Sequence, residues 1–243
     1  GDTIKALYNK KGTVIPQEKT DGSDKPEGYF TVTFDKGDHG TLSGKTVYYV
    51  NPNESVTVPA PTVTPATGWT QKTGDNAWDK ALTQTFTADT TITAQYEALK
   101  DKIPQENSDG SDKPNGYKVV KFVGVHGSLS EPTVYYVNPD KEVDFTSTAK
   151  AFTKTPDFAY TADGGTWNST EFKKKFTADE TFTFTFKELD NVIPEKENGN
   201  TNTQPKGYVK VTLIPTNKAT DATNKVYFVN PKETVQIKNK PVG

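Results

Sequence analysis

Residues 14–29, VIPQEKTDGSDKPEGY, return at residues 102–117 as KIPQENSDGSDKPNGY, identical at 12 of 16 positions. A third version, VIPEKENGNTNTQPKGY, occupies residues 192–208, so Ile15, Ile103 and Ile193 set periods of 88 and 90 residues. Near-copies at that spacing mean tandem modules rather than one large core. Two further markers keep the same phase: VYYVNP at 47–52 and 134–139 (VYFVNP at 226–231), and FTAD at 86–89 and 176–179. Each copy ends on an alternating strand, ITAQY at 92–96 and FTFTF at 182–186, which IKALY at 4–8 echoes. The chain is therefore expected to hold the last strand of an upstream repeat (1–14), full repeats with N-terminal linkers at 15–100 and 101–190, and a linker with the first half of a further repeat (191–243). It reads as a piece of something longer.

Within a copy the signals are those of strands. Residues 29–34 alternate, a turn is expected around Asp38, His39 and Gly40, and 46–50 then complete a hairpin. Residues 55–59 close on Pro59, which points to an edge strand. Residues 181–186 place Phe at every second position with Thr between, the pattern of an antiparallel strand buried on one face. Helical segments are expected to be short, at 76–82 and 169–175. The expected fold is mainly β: tandem small antiparallel β domains with at most one short helix per repeat. The intervening stretches, rich in Pro, Gly, Ser, Asn, Asp and Lys, read as exposed linkers.

Composition narrows the function. Among 243 residues there is no Cys, Met or Arg, so all 29 basic residues are Lys, and Thr occurs 38 times. No disulfide, thiolate metal site or cysteine nucleophile can form. Without Arg, and at a formal charge of −2, the chain offers no electropositive footprint for nucleic acid. Its apolar runs are strand-length, so no membrane insertion is expected. No Gly-x-Ser-x-Gly elbow and no Gly-rich phosphate loop occurs. Near-duplicates also leave little unique sequence for an active site, and neither catalysis nor a cofactor is expected.

Residues 28–52, the Gly68-Trp69 pair and residues 78–96 (WDKALTQTFTADTTITAQY) resemble the internalin-type B repeat, also called the Listeria-Bacteroides repeat. The wider pattern is similar to tandem repeats of Gram-positive cell-wall-anchored surface adhesins. The resemblance covers nearly the whole chain. It implies a β-grasp-like fold, an extracellular, wall-anchored location and a role as stalk or binding module. The second repeat departs from it, with Phe158 read opposite Trp69 and Asp157 opposite Gly68.

Four sets of residues are weighed as sites. Asp21 and Asp24, with Asp109 and Asp112, flank Gly-Ser turns and could offer oxygen ligands to calcium, although their spacing is not that of an EF-hand. The alternative is a solvated turn, since the third linker loses the charge. His39 and His126 precede equivalent glycines and read as turn residues, because no second His or patterned carboxylate accompanies either. Trp69 exchanges with an aromatic between copies and reads as core. Trp78 and Trp167 are equivalent, and read as core or as ligand-contact residues. The function expected is an extended stalk that projects an adhesive domain. The alternative is that the repeats themselves bind a host extracellular protein or glycan. A monomeric chain is expected.

Overall fold

A computed structural model describes residues 3–6, 9–214 and 225–237. The fold is mainly β, in small sheets. The chain gathers into two compact units, Gly1–Lys118 with Tyr136–Lys141, and Val119–Tyr135 with Glu142–Gly243.

In the first unit the strands are β1 (Val14–Pro16), β2 (Phe30–Asp35), β3 (Gly40–Ser43), β4 (Val47–Val50), β5 (Val56–Thr57), β6 (Thr62–Pro65), β7 (Trp69–Gln71), β8 (Thr83–Gln84), β9 (Thr90–Thr93), β10 (Tyr96–Ala98) and β11 (Lys102–Pro104). The main sheet of the first repeat runs β1-β4-β2-β9. β4 pairs antiparallel with both β1 and β2, with Val50 opposite Val14 and Phe30. The expected hairpin is thus present, but β3 interrupts its connection and pairs with β6 instead. β2 and β9 are parallel, Val32 opposite Thr90 and Asp35 opposite Thr93. A parallel pair needs a crossover, and all of β3 to β8 lie within it.

Alternation places Val32 and Phe34 inward from β2, where they meet Tyr48, Trp78, Phe86 and Ile92 in one buried cluster. Fully burying such side chains contributes roughly 1.5–3 kcal/mol each. β4 does not alternate: Tyr48, Tyr49 and Val50 are all buried. A strand covered on both faces reads as a continuous apolar run. The second cover is the linker, which lies over Tyr49 and bonds its hydroxyl through Asp24. The stretches read as exposed linkers therefore pack onto the outer face of the sheet.

Further along are β12 (Lys118–Val125), β13 (Gly127–Leu129), β14 (Val134–Val137), β15 (Glu142–Asp144), α1 (Thr146–Ala151), β16 (Lys154–Pro156), β17 (Tyr160–Trp167), β18 (Lys173–Lys175) and β19 (Glu180–Glu188). β12 and β19 repeat the parallel pair, and β17 joins the other edge of β19. The core of the second unit is aromatic: Phe122 meets Phe145, Trp167 and Phe182 with ring centroids 5.3–5.8 Å apart.

The helices are short, but they lie elsewhere than expected. Residues 76–82 hold only the end of a 3₁₀ turn, Gly74–Asn76. Residues 169–175 end in β18, whose Lys173–Lys175 run pairs with Glu142–Asp144 of β15 and offsets its charge. The α-helix is Thr146–Ala151, which buries Ala149. Thr3 to Ala6 form no strand, and Ile4 is 95% exposed; Leu7 and Tyr8 of the expected strand lie outside the described residues.

The third copy begins with β20 (Val192–Pro194), β21 (Lys196–Glu197), β22 (Asn200–Thr201), β23 (Val209–Leu213) and β24 (Lys225–Val229). Its sheet order β20-β24-β23 reproduces β1-β4-β2. β21 and β22 form a hairpin closed by Asn198-Gly199, both at positive φ, as a two-residue turn demands.

Candidate functional site

The four aspartates serve the linker fold. Asp24 Oδ2 accepts the backbone N–H groups of Glu18 (2.7 Å) and Lys19 (3.4 Å), and Oδ1 accepts the hydroxyl of Tyr49 at 3.2 Å. Asp112 does the same for the Glu106 N–H (2.7 Å) and the Tyr136 hydroxyl (2.9 Å). Asp21 and Asp109 accept the N–H two residues on, from Ser23 and Ser111, closing Asx turns. These N–H donors hold all four carboxyls below the usual aspartate range. Burial, and then the bond to the carboxylate, pushes the phenols of Tyr49 and Tyr136 up. Among the described residues no three His, Asp or Glu side chains are grouped to hold a metal ion.

The aromatic candidates divide differently. Trp78 is 8% exposed, packed on Phe34 at 4.9 Å, and bridges to Ala94. Trp167, in β17, touches Phe122, Phe172 and Phe184 at 5.3–5.8 Å. Trp78 is a core ring, whereas Trp167 is half-buried and keeps one side on a cleft that Phe172 and Phe184 also line. Trp69 departs from its core reading: it is only half-buried and stacks on His39, centroids 3.4 Å and planes 6° apart. His126 stacks in the same way on Tyr160, at 4.2 Å and 7°. The histidines are thus ring partners as well as turn residues.

That pair of stacks corrects the alignment of the copies. Tyr160, not Phe158, stands where Trp69 does, and Ala159 (φ 65°) stands where Gly68 (φ 88°) does. The hydrogen bonds agree: Ala66 N–H to His39 O matches Asp157 N–H to His126 O, and Leu99 N–H to Gly68 O matches Leu189 N–H to Ala159 O. The spacing misleads because the first repeat carries two more residues between the stacked ring and the core Trp, and they bulge out as the 3₁₀ turn. Phe158 therefore corresponds to Thr67, at the tip of the turn that precedes β7 or β17.

This tip touches the following copy. In the first unit Asn115 Nδ2 donates to Pro65 O at 2.8 Å. Gly116 (φ 76°) lies directly under Thr67, so that a Cβ there would collide with the threonine hydroxyl. Gly68 lies against Asn138, whose amide nitrogen stands 3.0 Å from where a Cβ would be. In the second unit Gly207 (φ 83°) lies under the ring of Phe158, which also meets Tyr208 at 5.9 Å and sits 4.2 Å below the amine of Lys232.

The receiving face is built from the repeat markers. The Gly-Tyr step needs a positive φ at Gly and pins Tyr by its hydroxyl: Tyr117 donates to Lys100 O (2.9 Å) and Tyr208 to Asp190 O (3.0 Å). The Asn-Pro step is an Asx turn, Asn138 Oδ1 accepting from Asp140 N–H and Asn230 Oδ1 from Lys232 N–H, each at 3.0 Å. The spare amide protons reach back to the linker, to Asp101 Oδ1 (3.2 Å) and Asn191 Oδ1 (3.0 Å). All four residues are at most 5% exposed. Sequence reasoning singled out these markers without their purpose; the recurring Thr-Pro before each turn was the remaining signal.

Compared with known proteins, the chain matches no family model, no curated protein sequence and no solved structure. Among the described residues no helix is long and apolar enough to cross a membrane.

Proposed function

We propose that the chain is a non-catalytic tandem-repeat segment of a bacterial cell-surface protein, held outside the cell on the wall, that acts as a stalk projecting an adhesive domain. The observation that carries this reading is the joint. The same turn lies over the glycine of the Gly-Tyr step twice, Thr67 over Gly116 and Phe158 over Gly207, and reaches the segment of the Asn-Pro turn beside it, Gly68 at Asn138 and Phe158 at Lys232. A binding module needs no such repetition, whereas a spacer does, because neighbour contacts fix the step from one module to the next. The four aspartates, the two histidines and Trp78 support the same reading, being spent on turns, stacks and packing.

The test is small-angle scattering of the whole chain together with binding to an array of matrix proteins and glycans. A stalk gives a maximum dimension on the order of 100 Å, against roughly 45 Å for one globule of this length, and leaves the array silent. One observation favours the second reading, that the repeats bind a host protein or glycan: a cleft of about 580 Å³ beside Phe158, lined also by Tyr160, Leu189 and Pro205. Saturable binding that Phe158→Ala abolishes would favour that reading over the stalk.

A further inference from the structure

The face that receives a turn in the second and third copies is also present in the first, where no described residue covers its glycine. Gly28 has φ 79°, matching Gly116 and Gly207, yet among the described residues nothing lies within 4 Å of where its Cβ would be. Tyr29 is pinned like its counterparts, its hydroxyl donating to Gly12 O at 2.9 Å, and Asn51 Oδ1 accepts from Asn53 N–H at 3.0 Å. Both are half-buried, whereas Tyr117 and Asn138 are 1% and 5% exposed. The backbone geometry of a receiving face is thus in place, with no cover among the described residues.

We propose that the surface around Gly28, Tyr29 and Asn51 is a docking site for the Thr-Pro-x-Thr-Gly turn of a preceding repeat of this same kind. The inference rests on the tandem-stalk reading and adds a specific contact to it. Its own residues select the occupant. Asn53 replaces Lys232, so no cation stands ready to cover an aromatic ring, and a threonine-tipped turn like that of Thr67 fits better than a phenylalanine-tipped one. Glu27 replaces Asn115 and cannot donate to the proline carbonyl. The seat therefore relies on the close approach at Gly28 and on burial of Tyr29. A second copy of this chain is a poorer occupant, because both of its described turns already sit on their own neighbours.

The test compares the chain with a version in which a duplicate of residues 13–96, carrying Tyr29→Phe so that a single Tyr29 remains, replaces residues 1–8. Hydroxyl-radical labelling of Tyr29, Tyr117 and Tyr208 is read in both. Docking lowers Tyr29 labelling several-fold, to the level of Tyr117, and Thr67→Glu placed only in the added copy restores it. Equal Tyr29 labelling in the two chains, with Tyr117 and Tyr208 protected, overturns the docking site and leaves the stalk standing. If Tyr117 and Tyr208 label as strongly as Tyr29 in the chain without the added copy, the joints themselves do not form, and the stalk reading falls with it.

Discussion

Thr67 closes over Gly116 so tightly that the glycine has no room for a side chain. Gly28, at the same position of the previous copy and with nearly the same φ, has nothing above it among the described residues. The two glycines share one backbone requirement and differ only in the neighbour. Gly28→Ala should therefore lose about 1 kcal/mol, the strain of a side chain in the left-handed region. Gly116→Ala should lose more, because it must also displace Thr67 and open the joint. Denaturant titrations of the two variants decide it, and equal losses would mean that Thr67 holds nothing down.

The linker carboxylates give a pH signature. Asp24 and Asp112 are held below the ordinary value of 3.8 by the N–H groups of Glu18 and Glu106. A depressed carboxyl stabilises the fold fully above its unfolded value, and that contribution is lost as pH falls through the folded one. The linkers should therefore let go of Tyr49 and Tyr136 only below pH 3.8, ahead of the aromatic cores, which hold no carboxylate. Amide exchange at Glu18 and Glu106, corrected for intrinsic rate, should stay slow down to pH 3.8 and accelerate as pH falls further. Unchanged exchange would show that the aspartates do not hold the linkers.

How far the fold was readable follows from where its information lies. Phe182, Phe184 and Phe186 announce a half-buried strand by local alternation. That the strand runs parallel to β12 is decided by a crossover of dozens of residues, which leaves no local mark. Tyr48-Tyr49 looks like any apolar run until the linker over Tyr49 is seen. The copies were legible from identity alone, but the pairing of Phe158 with Trp69 failed because a two-residue bulge is silent in a spacing count. The joint was hidden for a related reason: Thr67 and Phe158 are chemically unlike, and only Gly116 and Gly207 beneath them are the same.

The ring stacks should matter moderately. His39 on Trp69 and His126 on Tyr160 are offset from the cores, and such aromatic pairs contribute about 0.5–1.5 kcal/mol beyond area. His39→Ala should destabilise by that order while keeping the β-type circular dichroism, and should shift the emission of Trp69 because its stacked partner is gone. Trp78→Ala, by contrast, empties a core position and should cost about 3–5 kcal/mol. If His39→Ala proved as damaging as Trp78→Ala, the stack would have to be holding the turn that reaches the next copy.

The second joint allows the sharpest measurement, because two side chains from different copies meet there. The amine of Lys232 sits 4.2 Å from the ring centre of Phe158, within reach of a cation–π attraction worth about 0.5–1 kcal/mol where solvent is near. The ring also covers Gly207 and borders Tyr208, so its removal exposes apolar surface that Lys232→Gln leaves covered. Phe158→Ala should therefore cost more than Lys232→Gln, and the double variant should cost less than their sum by the cation–π amount. Amide exchange at Gly207 and Tyr208 should rise strongly in Phe158→Ala and only slightly in Lys232→Gln. Strict additivity would place the lysine beside the ring without coupling to it, and the joint would then rest on the close approach of Phe158 to Gly207 alone.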